Sequence, residues 1–409
     1  MSKTLSFPKS KMRVLLLENV HPVAVQAFEM QGYSVETLTQ ALSEDELIER
    51  IAGVHLLGIR SKTQVTRRVL ESAPKLLAIG AFCIGTNQID LTAAMEHGVA
   101  VFNAPYSNTR SVVELALAEM ILLMRQVPDK SSQLHQGQWD KSASGSHEVR
   151  GKTLGLIGYG SIGTQLSVLA ESLGMRVVFY DIAERLALGN AVQCKSIDEV
   201  LTQSDIVSLH VDGRASNANL IGATQLARMK KGSILINLSR GHVVDIEALR
   251  DALESGHLRG SAVDVFPYEP ASNDEPFESP LRGLRNTLLT PHVGGSTAEA
   301  QENIGRFVPS KLADFVDTGA TQNAVNFPEI ILPALDDAHR VLHIHRNVPG
   351  ILARINSIFA DQNINIVGQY LKTNDTIGYV ITDIGSQYSE KVFDELKAIE
   401  QTIRVRVLY

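Results

Sequence analysis

The sequence predicts an α/β chain built from two doubly wound parallel sheets and a smaller C-terminal α+β unit of βαββαβ order. Three observations lead there. Short apolar runs alternate with helical patterns from residue 12 to about residue 290. A glycine fingerprint stands where one of these runs meets a helix. Beyond a segment at 324–333, within which Pro328 and Pro333 flank an apolar run, the rhythm changes to paired strands. At 409 residues, 44% apolar and 20% charged, the chain suits two or three globular domains. Its net charge of -7, with no Lys/Arg-rich run, argues against a nucleic-acid partner. No apolar run approaches the roughly 20 residues of a membrane span, and the first residues lack the apolar core of a signal peptide. The two cysteines, Cys83 and Cys194, are far apart and expected in buried or strand-edge positions. A disulfide framework is not expected, a reducing cytoplasm is, and no Cys/His cluster has metal-ligand spacing.

Residues 12–17 read as a buried strand, followed by a helix over 21–31 and a strand over 33–38. Ser43 opens Ser-Glu-Asp-Glu, a capping-box pattern that starts a helix. Strands at 55–60 and 76–81 follow, then a Gly/Asn turn at 81–90 that includes Cys83. The helix expected at 109–125 is apolar on nearly every side, which suggests burial between domains. A polar stretch, 129–150, precedes strands at 153–157, 176–180, 206–210, 233–238, 260–265 and 287–289, the six of a full dinucleotide-binding sheet. Residues 291–319 read as a turn and a long helix, and 324–333 as a linker. Strand 341–345, helix 350–360, strands 364–372 and 378–384, helix 390–398 and strand 402–408 then make a ferredoxin-like unit. The expected domains are 1–107 with 296–333, 108–295 inserted between them, and 338–409.

Gly158, Gly160 and Gly163 form a complete G-x-G-x-x-G directly after the strand at 153–157. The first glycine permits a tight turn, the second a close approach to pyrophosphate, and the third close packing of helix on strand. Ser161 and Ile162 then offer the free N–H groups of a helix start to the phosphates. Asp181 ends the next strand, where a carboxylate accepts from the ribose hydroxyls and repels a 2′-phosphate, favouring NAD over NADP. The plainer reading is that Asp181 only caps the segment after it. His343 and His345 alternate on one strand and His339 stands apart, a poor arrangement for a metal.

Three further segments end strands: Ile236-Asn-Leu-Ser-Arg240-Gly, Asp264-Val-Phe-Pro-Tyr-Glu269-Pro and Leu289-Thr-Pro-His292-Val-Gly-Gly. Alcohol oxidation needs a base, and the His292 imidazole titrates in the right range. Glu269 suits it as an orienting carboxylate, and Arg240 suits a bidentate clamp on a substrate carboxylate. Singly, a Thr-Pro-His is more often a turn and a lone Arg a surface charge. Taken together, these motifs resemble those of the D-2-hydroxyacid dehydrogenase family over about residues 12–319, and the C-terminal unit resembles an ACT domain. With Asn103-Ala-Pro-Tyr-Ser-Asn-Thr-Arg-Ser111, the resemblance to the amino-acid-regulated members runs nearly end to end.

That resemblance implies a Rossmann-like NAD domain, a flavodoxin-like substrate domain and an ACT regulatory domain. It implies catalysis by Arg240, Glu269 and His292, and NAD contacts from His210, Val211, Leu238, Arg240, Asp264, His292, Gly294 and Gly295 besides the fingerprint and Asp181. Asp264 is implied at the nicotinamide amide end. Arg60, Ser61 and Lys62 place two cations beside a hydroxyl, a loop able to receive phosphate and carboxylate, or else simply solvated. Asn108, Lys141 and Arg240 join them as implied substrate contacts. The implied reaction is reversible oxidation of 3-phospho-D-glycerate to 3-phosphohydroxypyruvate, the entry to L-serine synthesis, with 2-oxoglutarate reduction as a second activity. L-serine is the implied inhibitor, held by His345, Asn347 and Asn365, expected at one end of the last sheet, and the implied assembly is a homotetramer. The alternatives are another D-2-hydroxyacid dehydrogenase, a non-catalytic NAD-sensing interaction protein, or an amino-acid-binding module alone. Lys62 replaces an expected Arg, Leu238 an Ala and Asp212 a Pro. The last two bear on NAD affinity and Lys62 on the phosphate contact.

Overall fold

The computed structural model describes residues 7–270, 274–332, 339–385 and 390–408. Pro333, part of the expected linker, lies outside them. The chain divides into two compact units, 1–107 with 301–409, and 108–300.

In the first unit, β1 (Arg13–Leu16), β2 (Ser34–Thr37), β3 (Leu56–Ile59), β4 (Ala78–Ala81) and β5 (Ala100–Phe102) form one parallel sheet in the order β2-β1-β3-β4-β5. That is the flavodoxin-like order. Every residue of β3, β4 and β5 is buried, because helices on both faces leave such strands no solvent side. Ser43 and Glu46 close the expected capping box: the Ser43 N–H donates to Glu46 Oε2 at 2.8 Å and the Glu46 N–H to Ser43 Oγ at 3.5 Å. β5 was not expected; its three residues are too short for an alternation to register.

The second unit holds β6 (Thr153–Ile157), β7 (Arg176–Tyr180), β8 (Val192–Gln193), β9 (Ile206–Leu209), β10 (Ser233–Asn237), β11 (Leu258–Val263) and β12 (Thr287–Leu289). All neighbours are parallel, in the order β12-β11-β10-β9-β6-β7-β8. The sheet has seven strands, not the expected six. The addition is β8, two exposed residues paired on β7, with no apolar pattern to announce it. Strand order reverses between β6 and β9, the switch point at which open α/β sheets bind ligands. The helix Thr109–Met124 buries Val112, Val113, Ala116, Met120 and Leu123 within this unit. The stretch expected to be merely polar begins with a helix, Val127–His135, which buries no residue and so lacks the periodicity that would reveal it.

The last sheet lies in the first unit. β13 (His339–Arg346), β14 (Ile366–Thr373), β15 (Ile377–Ile384) and β16 (Thr402–Val407) are antiparallel in the order β14-β15-β13-β16, with the helices Ile351–Asp361 and Glu390–Lys397 completing βαββαβ. A buried ion pair, Arg340 Nε to Asp383 Oδ1 at 2.7 Å, ties β13 to β15. Arg340 Nη1 also donates to the Thr318 carbonyl, and the Tyr379 hydroxyl to that of Gly319, anchoring the sheet to the end of the helix Ala298–Thr318.

Candidate functional site

The turn after β6 shows why the first and third fingerprint positions are glycine. Gly158 has φ +94°, and a Cβ there would stand 2.3 Å from the His210 carbonyl oxygen. A Cβ at Gly163 would meet the Gly158 carbonyl oxygen at 2.4 Å. At Gly160 a Cβ would meet nothing within 4 Å, so this glycine faces open space. Gly160 is also the N-cap of the helix Ser161–Ser172 and provides no side-chain cap, leaving the first N–H groups for an anion. The cradle therefore fits a dinucleotide pyrophosphate. Tyr159, unnoticed in the sequence, fixes the loop: its ring stacks on Phe179 at 3.7 Å and its hydroxyl bonds Ser167 at 2.7 Å.

Asp181 follows β7 and accepts from the Tyr159 N–H at 2.8 Å and the Ala183 N–H at 2.9 Å. It thus caps its own turn and also stands beside the fingerprint loop, so the two readings of this residue are compatible. Burial alone would raise its pKa, but these N–H groups and Arg185, 3.4 Å away, hold it below the usual value and keep it anionic. His210 follows β9, its Nε2 bonded to Ser208 Oγ at 2.9 Å; burial pushes its pKa down to about 4, so the ring is neutral. Its Nδ1 is buried without a hydrogen-bond partner among the described residues. Val211 is half-buried, and Asp212, where the family often has Pro, pairs with Arg214.

The catalytic candidates stand past the carboxyl ends of β10, β11 and β12. His292 Nδ1 lies 2.8 Å from Glu269 Oε2, while Glu269 Oε1 accepts from the Phe266 N–H at 3.0 Å. The hydrogen bond to Glu269 raises the His292 pKa above its ordinary 6.5, against burial and Arg240, which lower it. Burial would raise the Glu269 pKa, but His292, the Phe266 N–H and Arg240 outweigh it and keep the carboxylate ionised. These mutual effects bring Arg240, Glu269 and His292 into one electrostatic group. Arg240 is half-buried, with Nη1 on the Ser239 carbonyl at 2.7 Å. His292 has φ +53°, a left-handed conformation that non-glycine residues seldom adopt.

Asp264 accounts for that conformation. Its Oδ1 accepts from Thr290 Oγ1 at 2.6 Å and the Val293 N–H at 2.9 Å, its Oδ2 from the Gly294 N–H at 2.8 Å, and its carbonyl from the His292 N–H at 2.8 Å. The visible task of Asp264 is therefore to hold the turn that presents His292. Leu238 is buried, its Cδ2 3.5 Å from where a Gly294 Cβ would stand. Gly295 lies against Asn108, whose Nδ2 would be 2.1 Å from an added Cβ.

Of the expected substrate contacts, Arg60, Ser61 and Lys62 lie in the first unit, and Asn108, Lys141 and Arg240 in the second. Lys141 is exposed. Glu18, which sequence reasoning missed, shapes the first-unit loop: its buried carboxylate accepts from the N–H groups of Arg60 (3.2 Å), Lys62 (3.0 Å) and Thr63 (2.9 Å). The hint was an acidic residue one position past an apolar strand, as at Asp181. Cys83 is half-buried and Cys194 buried.

In the C-terminal sheet, His345 Nδ1 lies 2.7 Å from the Arg346 carbonyl, and its Nε2 is buried without a hydrogen-bond partner among the described residues. Gly378 makes room for this ring, since a Cβ there would stand 2.3 Å from it. Asn347 donates to the Asn374 carbonyl at 2.7 Å. Asn365 is not with them. It precedes β14, whose first residue pairs with Ile384, and Ile384 faces His339 at the start of β13; His345 pairs with Gly378 at the other end. An eight-residue strand separates the two places, on the order of 25 Å. The expectation that all three share one end of the sheet is therefore corrected: no register of a single chain was visible in the sequence.

A model of the D-isomer specific 2-hydroxyacid dehydrogenase NAD-binding domain matches residues 117–294, and one of the AHAS small subunit-like ACT domain matches 341–404. A D-3-phosphoglycerate dehydrogenase of Haemophilus influenzae is 53% identical over 410 residues, covering 100% of both chains. The chain belongs to the D-3-phosphoglycerate dehydrogenase family. Another family member, from Escherichia coli K12, is 53% identical across 99% of both chains, and one from Dictyostelium discoideum 50% identical across 100% of both. Among solved structures, D-2-hydroxyisocaproate dehydrogenase covers 77% of this chain and 100% of its own, at 26% identity and TM-score 0.69. A D-lactate dehydrogenase of Aquifex aeolicus, solved with NAD and lactic acid, has the same coverage at 25% identity and TM-score 0.67. The family's NAD-binding domain is thus the second unit's sheet and loops, and its ACT domain the last sheet. Among the described residues no helix is long and apolar enough to cross a membrane.

Proposed function

We propose that the chain catalyses NAD-dependent oxidation of 3-phospho-D-glycerate to 3-phosphohydroxypyruvate, the first step toward L-serine, under feedback inhibition by L-serine. The observation that carries this reading is the Arg240, Glu269 and His292 group in a chain 53% identical, end to end, to the Haemophilus influenzae D-3-phosphoglycerate dehydrogenase. NAD, when bound, supplies the hydride acceptor. With Nδ1 committed to Glu269, His292 Nε2 is the atom left to take the proton of the substrate hydroxyl, and Glu269 offsets the charge that results. Arg240 grips the carboxylate and polarises the reacting oxygen. Asp264 positions the His292 turn and, with His210 and Leu238, borders the nicotinamide end. Arg60, Ser61, Lys62, Asn108 and Lys141 take the rest of the substrate, with the phosphate on the cations.

We assign regulation to 338–409 and the remaining domains to 1–107 with 296–333 and to 108–295. The serine site is completed by a second copy. β14 is an edge strand with Val367, Tyr370 and Leu371 exposed, so two copies can pair along it. Antiparallel pairing brings the start of one β14, with its Asn365, to the end of the other, beside Asn374 and hence Asn347 and His345. A homotetramer in a reducing cytoplasm fits this reading. The test is NADH formation from 3-phosphoglycerate, alongside a panel of 2-hydroxyacids and of 2-oxoglutarate with NADH, each with and without L-serine. NADH formation inhibited by L-serine is expected; no turnover of any 2-hydroxyacid would leave the NAD-sensing alternative.

A further inference from the structure

Where β16 meets the first sheet, a cavity of about 500 Å³ is lined by Lys11, Lys75, Arg404, Arg406 and His55 and, among the described residues, by no Asp or Glu. None of these four lysines and arginines makes an ion pair among the described residues. Arg404 and Arg406, two apart on β16, share a face of that strand. Arg404 Nη1 donates to the Leu76 carbonyl. The Arg406 guanidinium lies 5.1 Å from the centre of the Phe315 ring, and its Nη1 is buried with no acceptor among the described residues. Asp317, which shares Tyr33 as a neighbour with Arg406, is already paired with Lys9 at 2.7 Å.

Burying unpaired charge is costly, and guanidinium groups held this way call for an anion. Burial depresses both arginines, Arg404 to about 10, and Lys75 and Arg13 add to burial in depressing His55. A chain of net charge -7 that gathers two lysines and two arginines around a cavity with no Asp or Glu among its described lining residues has a local field suited to a small, multiply charged ligand.

We propose that this cavity binds a compact phosphate-bearing anion, gripped by Arg404 and Arg406 with Lys11 and Lys75 at the rim. The site is remote in sequence from the dehydrogenase motifs and does not rest on the catalytic reading. A ligand there bridges β16 of the ACT sheet and the segment leading into β4, adding a fastening between the two sheets of the first unit.

The test is calorimetry and thermal melting of the full chain, titrated with inorganic phosphate and, separately, with glycerol 3-phosphate at constant ionic strength. Arg60→Ala removes a cation of the expected substrate loop from the measurement. Saturable binding is expected in the unaltered chain and in Arg60→Ala. It should weaken about tenfold in Lys75→Ala or Lys11→Ala, both exposed positions, and vanish in Arg406→Met. Arg406→Met should also melt higher than the unaltered chain without phosphate, its unpaired charge gone. Tighter binding of one probe names the source of the phosphate. Absence of saturable binding, or equal binding in the unaltered chain and the lysine variants, would overturn the proposal even if Arg406→Met failed to fold.

Discussion

Past the carboxyl ends of β10, β11 and β12, neighbouring strands of one unit, the chain brings Arg240, Glu269 and His292 into a single group. In the C-terminal sheet it does the reverse, with His345 and Asn347 at one end of β13 and Asn365 at the opposite end of β14. The difference comes from topology. Parallel strands joined by right-handed crossovers put all their carboxyl ends on one edge, so residues distant in sequence converge. Antiparallel neighbours put alternate ends on alternate edges, so residues just beyond or before two strands can be held apart. On the proposed reading, chemistry needs one chain and sensing needs two.

The contrast makes graded predictions. The largest concerns the self-contained group: His292→Ala should lower kcat by at least about 10²-fold, as loss of a general base does. Near-normal turnover at neutral pH would remove His292 from that role. Asn347→Ala should leave turnover intact and abolish L-serine inhibition, a coupling on the order of 1–3 kcal/mol; undiminished inhibition in steady-state assays would count against the sensor assignment.

A third prediction rests on the raised His292 pKa. Oxidation requires the neutral ring, so kcat/KM should climb with pH through a midpoint above the ordinary 6.5. Glu269→Gln removes the largest cause of the shift, and the midpoint should move down; an unmoved midpoint would separate Glu269 from the base. The same raised pKa gives stability that is complete below about 6.5 and lost as pH rises through the folded value, a small term for a half-exposed pair. The smallest effect is expected at Asp181, whose replacement by Ala should narrow the preference for NAD over NADP by weakening NAD; equal kcat/KM for both cofactors in the unaltered chain would refute the ribose assignment.

The sequence could disclose what is local. The glycine fingerprint, the capping box at Ser43 and the strand-end motifs are each legible within a few consecutive residues, whereas the contacts of Gly158 with His210 and of His292 with Glu269 exist only in the fold. It could not disclose features without a pattern of their own: β8, two exposed residues that exist only because β7 offers an edge, and the helix Val127–His135, which buries nothing. Nor could it disclose partners set by tertiary placement. Glu18 reads as a charge after a strand until the fold lays the Arg60–Thr63 backbone across it. The family resemblance makes Asn365 a companion of Asn347, and only the pairing of β14 with β15 shows that they are far apart in one chain.

One experiment bears most directly on the difference between the two regions. Chains carrying Asn347→Ala and chains carrying Asn365→Ala, each insensitive to L-serine alone, are co-expressed so that mixed assemblies form, and inhibition by L-serine is measured. If the sensor site is shared, a mixed pair contains one site with both asparagines intact, and part of the inhibition should return. If each chain forms its own site, every site in the mixture is defective, and continued insensitivity in verified mixed assemblies would contradict the account.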